Sequence, residues 1–402
     1  MPLVSKILEN RIIRAAIIIA LAMLAAVSVY QGARNALEFS QDFQWDAAKA
    51  LCMRLDPYEL SHDTEKALTY PELAEFYRMF TDKGLTQKME ANQFPTLLML
   101  LAPMTVFAPA TAKILWLILN LLFTAGIIFL LRRTFLERQS AFWFAFTVLL
   151  MLAGTPYRNQ IGVGQHTLFA FFFFMLAVYA DKRRKGVTAG STAIVSVCLF
   201  VSYFKYTLTA PLALYFVYKK RYKELVLSVA GHVILTAAAA LWLKKSFIYM
   251  ITAPLGVASA LASEGGIDLG VLIGGLPAFV LAFVIAAILF VITIRMPEKK
   301  EYILVPMLIM WSLILTYHRT YDFFVLSAVP VMFGDGLSSD HGEKCTVFMR
   351  SWYAVLIAEI YFALRVFGEN SQSLVAAGIV YYGFTAAVTW LAIKLLRNKK
   401  DE

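Results

Sequence analysis

The stretch FPTLLMLLAPMTVFA, Phe94 to Ala108, decides how the whole chain is threaded. It is apolar enough for lipid, yet it is short of the ~20 residues that an α-helix needs to cross ~30 Å of hydrocarbon. It also carries Pro95 and Pro103. Were it to cross, Arg132, Arg133 and Arg138 would fall outside, and every later loop would change sides. The basic clusters DKRRKG (181–186) and KKRYKE (219–224) would then face the wrong compartment, against the tendency of Lys and Arg to stay on the cytoplasmic side. The stretch therefore reads as a re-entrant or interfacial helix.

Working outward, apolar runs recur at roughly 12–31, 111–131, 140–155, 165–180, 188–204, 206–218, 225–243, 272–294, 302–317, 321–335, 351–367 and 373–394. With the N-terminus cytoplasmic, the segments left inside hold 23 of the 37 Lys and Arg residues, so the charge rule is met at every turn. The expected fold is all-α: residues 1–402 form a single membrane domain, a polytopic transmembrane bundle of about twelve spans in the inner (plasma) membrane, both termini cytoplasmic. The first run follows a basic stretch but shows no clear small-residue cleavage pattern, and it reads as an uncleaved anchor.

Composition agrees, since 60% of the residues are hydrophobic and only 16% charged, where soluble domains carry ~25% charged residues. The net charge of +10 sits in short clusters between apolar runs, where it sets topology, so no nucleic-acid partner is expected. Cys52, Cys198 and Cys345 have no ligand-like spacing, and neither a disulfide nor a zinc site is expected.

The long polar segment 34–92 then lies on the extracytoplasmic side, and with its apolar tail it makes a first loop over 34–110 that carries short juxtamembrane helices. A second sizeable loop covers 244–271. The first loop holds 11 of the 27 acidic residues. In it Asp42 and Asp46 stand four apart, which on a helix is one face, and paired carboxylates suit general-base work. Ionisable residues at span ends are costly and so are candidates for function. They are Arg158, Gln165-His166, Lys205, and the island Tyr317-His318-Arg319-Thr320-Tyr321-Asp322, all on the outer side of this topology. Cations there suit a phosphate, and carboxylates beside them point to group transfer.

The run SQDFQWDAAKALCMRLDPYE (40–59) resembles the first-loop signature of glycosyltransferase family 87, the polyprenyl-phosphate-mannose-dependent mannosyltransferase-like proteins. FPTLLMLLAPMTVFAPATAKILWLILNLL, GVGQHTLF, SYFKYTLTAPLALYFVYKKRYK and TYHRTYDFFVL resemble its later segments, so the likeness runs from about 34 to 335. It implies the GT-C architecture and an inverting transfer from a polyprenyl-phosphate sugar to an extracytoplasmic glycan or glycolipid. By position it implies that Asp42 is the catalytic aspartate and His318 the important histidine, with Lys205 and Gln165 at recurring polar positions. Lys205, Arg319 and Arg158 are expected at the donor phosphate, and Asp46, Gln165, His166, Tyr317 and Asp322 in acceptor or supporting roles. No metal or other cofactor is expected. The rival reading is a transporter or flippase of a lipid-linked or anionic substrate, although the two halves show no repeat of the kind transporters carry.

Overall fold

The computed structural model describes residues 10–40, 43–85, 88–184, 186, 188–261 and 266–398. Asp42 lies outside the described residues. Within them the chain is helical and has no strand.

Seven helices are long and apolar enough to cross a membrane: Arg11–Phe39, Pro109–Thr134, Ala189–Leu212, Tyr222–Leu243, Gly275–Arg295, Glu343–Phe367 and Ser371–Arg397. Thr155–Val163 and Thr167–Arg183 are together long and apolar enough for another crossing but are bent by 109° at their junction. These make the chain a multi-pass membrane protein, and the other segments expected to span are shorter. Ala141–Ala153 has 13 residues and Glu301–Leu315 has 15. Thr320–Phe333 is a 3₁₀-helix of 14 residues, unusually long for that type. At ~2.0 Å per residue it reaches roughly 28 Å, where an α-helix of that length would reach roughly 21 Å.

The helical run from Ala189 is interrupted at Lys205, whose backbone is neither helical nor extended (φ −116°, ψ 63°). Arg221 beyond it nevertheless lies 2.7 Å from Asp181 before it, and Glu224 lies 2.9 Å from Arg184. A straight helix from 189 to 218 would hold those residues apart by about 40 Å at 1.5 Å per residue. The chain therefore turns back at Lys205, within the helical run Ala189–Leu212.

Side-chain contacts gather the connections into two ends. At one end Lys182 bonds the Thr134 carbonyl (3.1 Å) and pairs with Glu301 (3.0 Å), Lys219 also pairs with Glu301 (2.6 Å), and Lys300 meets Asp340 (2.5 Å). Arg14 lies over the Phe142 ring there. These contacts join the basic segments that the sequence places together on the cytoplasmic side. The other end gathers the first loop, the bend after Val163, the turn at Lys205, residues 266–273 and the island around His318.

The first loop has its own core. Trp45 stacks on Phe76 at 5.5 Å and bonds the Met104 carbonyl, and Tyr58 donates to the Gln93 carbonyl. The decisive stretch falls inside this core as an α-helix, Pro95–Leu101, followed by a 3₁₀ turn, Ala102–Val106. Together they extend roughly 20 Å, too little to cross. Lys245 pairs with Asp56 (3.3 Å) and Glu59, and Tyr249 donates to Asp56 (2.7 Å), so the loop is fastened to the helix Phe247–Leu261.

Candidate functional site

The site begins where a helix is broken. Gly164 has φ +78°, a left-handed conformation that glycine adopts without strain. A Cβ there would collide with Ser40 Oγ and lie 3.5 Å from Phe43 Cβ. Ser40 donates to the Val163 carbonyl at 3.1 Å, and Trp116 Nε1 to the Gly164 carbonyl at 2.7 Å. The glycine thus ends one helix and lets the first loop press against the break. Gln165 and His166 follow at once, and Gln160 Nε2 fastens the turn by donating to the Gln165 carbonyl at 2.7 Å.

Three distant parts of the chain meet beside this break. Lys205 Nζ donates to Gln165 Oε1 at 3.3 Å and stands 3.7 Å from Asp322 Oδ2. His318 Nδ1 lies 2.7 Å from the same Asp322 oxygen, and the Thr167 hydroxyl donates to the other. Asp322 is fully buried and His318 is 1% exposed, so the pairing works in a low dielectric. A carboxylate on Nδ1 fixes the ring's orientation and tautomer and leaves Nε2 for other partners; here Nε2 is 3.3 Å from Thr316 Oγ1. Lys205 also lies 5.6 Å from the centre of the Tyr321 ring. Such a group can bind an anionic oxygen and move a proton at the His318 imidazole.

The expected residues do not all share this place. Gln165, Lys205, His318 and Asp322 come together, with Tyr317 and Arg319 flanking His318 half-buried in the same turn. His166 packs against Trp116, ring centres 5.3 Å apart. Arg158 holds Asn159 at 3.0 Å instead, with Arg365 and Glu369 as its charged neighbours. Asp46 lies in the first-loop core, 3% exposed, and accepts from Tyr77 at 2.9 Å. Burial pushes its carboxyl up to about 6, a rise that the Tyr77 hydrogen bond opposes. The helix carrying it starts at Trp45, after Gln44 in a left-handed conformation.

Asp268 and Thr167 join the site without having been singled out. Asp268 caps the helix Leu269–Ile273 through Gly270 N (2.9 Å) and also accepts from His318 N (3.4 Å), so the second loop holds the His318 turn. An acid in an apolar, glycine-bearing loop that holds just two, Glu264 and Asp268, was the available signal. Beside His318, Gly266, Thr320 and Phe323 line a cavity of about 10 Å³. That is room for about one water.

No curated protein and no solved structure matches the chain. The sequence model described as glycosyltransferase family 87 matches residues 95–317, more than half of the chain, including the break at Gly164, the Lys205 turn and the first part of the His318 turn up to Tyr317. The chain belongs to glycosyltransferase family 87, and is a membrane glycosyltransferase.

Proposed function

We propose that the protein transfers a sugar, mannose or a similar hexose or pentose, with inversion from a polyprenyl phosphate to an extracytoplasmic glycan or glycolipid of the cell envelope. The observation that carries the reading is the buried Gln165–Lys205–His318–Asp322 group, drawn from three chain segments to the end that bears the first loop. In the reaction the acceptor hydroxyl attacks the anomeric carbon and the bond from that carbon to the phosphate oxygen breaks. The phosphate leaves with the electron pair, and a carboxylate takes the hydroxyl proton.

Asp42 is assigned as that base. Its neighbours Ser40 and Phe43 rest against Gly164, next to Gln165 and His166, which supports the assignment. Lys205 and Arg319 face the departing phosphate, and His318, held by Asp322, orients or protonates it. Arg158 is assigned to the same phosphate, with Arg365 and Glu369 as its charged neighbours. Asp46 supports the loop through Tyr77. The chain crosses the inner membrane twelve times in the GT-C manner, both termini cytoplasmic. The first loop, 34–110, and the second, 244–271, lie outside. The gathering of the basic connections at one end of the bundle supports this orientation.

Transfer of labelled sugar from a polyprenyl phosphate in nanodiscs tests the reading. Asp42→Asn and Lys205→Ala are each expected to slow it by about 10²-fold or more. Near-wild-type turnover of Asp42→Asn would remove Asp42 from the base role, and absence of transfer by the wild-type protein from every such donor would remove the function.

A further inference from the structure

Lys113 lies one turn into the helix Pro109–Thr134 and is 3% exposed. Its ammonium is buried and has no hydrogen-bond partner among the described residues. The Phe80 ring, carried by the first-loop helix Pro71–Thr81, covers it with its centre 5.0 Å from Nζ. The charged neighbour that acts on it is another cation, Lys83, itself held to the Glu38 carbonyl at 2.7 Å. An isolated buried ammonium is expensive, and buried lysines are normally paired.

A second buried polar group lies close by. Trp116 follows Lys113 by three residues on the same helix face, and His166 packs on it with both ring nitrogens buried and the Phe43 backbone as polar neighbour. One residue from His166, Gln165 already binds Lys205, and Lys205 already faces Asp322. The cation of the main cluster is thus partly neutralised within the protein, whereas that of Lys113 has no such partner among the described residues.

We propose that Lys113 is a second anion-binding residue of the transfer site, taking a phosphate oxygen of a substrate under the first loop, with His166 on the same side. This rests on the transferase reading above. A phosphate brings negative charge into a closed, low-dielectric place, and a lysine ammonium is a compact partner for it. The group comes either from the polyprenyl phosphate or from the headgroup of an anionic lipid acceptor. Phe80 must leave Nζ for it to enter, so the first-loop helix Pro71–Thr81 moves when substrate binds.

The test compares wild type with Lys113→Met and Lys113→Gln, reading the rise in melting temperature caused by farnesyl phosphate and, separately, by phosphatidylglycerol in nanodiscs of otherwise neutral lipid. With no ligand, neither variant is expected to melt below wild type, since an unpaired buried charge has been removed. Half-saturation by one of the two ligands should weaken about tenfold or more in both variants: farnesyl phosphate identifies the donor, phosphatidylglycerol a lipid headgroup. Unchanged half-saturation by both ligands overturns the proposal. So does a lower melting temperature or loss of folding in both variants, which would make Lys113 a structural residue. Binding is read without turnover, so absence of sugar transfer by wild type would break the transferase reading and leave the Lys113 measurement standing on its own.

Discussion

The two ends of the bundle place their acids differently, although each holds a histidine ring, His341 at one and His166 at the other, whose buried nitrogens lack a regular hydrogen bond. At the end with the basic connections, buried acids are matched by neighbours: Asp181 meets Arg184 at 2.9 Å and Arg221 at 2.7 Å, Glu224 meets Arg184, and Glu301 meets Lys182 and Lys219. At the end with the first loop, the ammonium of Lys113 is buried without a hydrogen bond among the described residues, the buried ring of His166 has the Phe43 backbone beside it, and one carboxylate, Asp322, serves both Lys205 and His318. Matched charges fasten helices together. Incompletely matched ones persist at a cost in stability, and binding or chemistry is the return on that cost.

The largest expected effect comes from the incompletely matched end. His318→Ala should lower the rate of sugar transfer by the folded fraction by about 10²- to 10⁴-fold, the range of a lost acid–base group, beyond whatever the lost contact with buried Asp322 does to the melting temperature. A variant that melts early and retains its rate would place His318 with the structural charges instead. The reverse pattern is expected at the other end. Asp181→Ala leaves Arg184 and Arg221 without their shared carboxylate, which for a buried pair costs about 3–5 kcal/mol. Denaturant or thermal unfolding in detergent reads that loss, and the transfer rate of the folded fraction should match wild type. A slowed folded fraction would break the division of labour between the ends.

Much of this contrast was legible in the sequence. Gln165, Lys205, His318 and Asp322 stand out because ionisable or polar groups interrupting apolar runs are expensive. The basic connections stand out through the charge rule. Lys113 looked ordinary, since a lysine near a helix end usually reaches water, and only the fold shows Phe80 closing over it. Nothing in Phe43-Gln44-Trp45 announces the left-handed Gln44 after which the helix carrying Asp46 starts. The count of spans diverged for a similar reason. Segments of 13 to 15 residues fall under the length that marks a crossing, and no residue type signals that Thr320–Phe333 adopts the stretched 3₁₀ form.

A middle-sized effect separates the first loop from both ends by pH. Burial holds the Asp46 carboxyl at about 6, above the ordinary carboxylate value of 3.8. The folded loop therefore binds the proton more tightly than the unfolded chain does. Its stability is highest at and below about pH 4, declines as pH rises toward 6, and is flat above. Two pKa units correspond to about 3 kcal/mol. Hydrogen exchange across Trp45–Cys52 and Pro71–Thr81 from pH 4 to 8 should show that decline, and Asp46→Asn should flatten it. A wild-type loop whose protection is constant over this range would place Asp46 in water rather than in the core.

The smallest effect lies at the seam between loop and bundle. Gly164→Ala forces a side chain into a left-handed conformation, at about 1–2 kcal/mol, and pushes Ser40 Oγ out of its bond to Val163. Ser40 can rotate, so the fold should survive with a modestly lower melting temperature. The position of Gln165 depends on the same turn, and Gln165 holds Lys205, so donor affinity should fall by more than the stability loss explains. Adding Ser40→Gly removes the collision and leaves the backbone strain. If the double variant recovers donor affinity while its melting temperature stays low, contact with the first loop sets the site; if neither recovers, backbone strain at the break accounts for both.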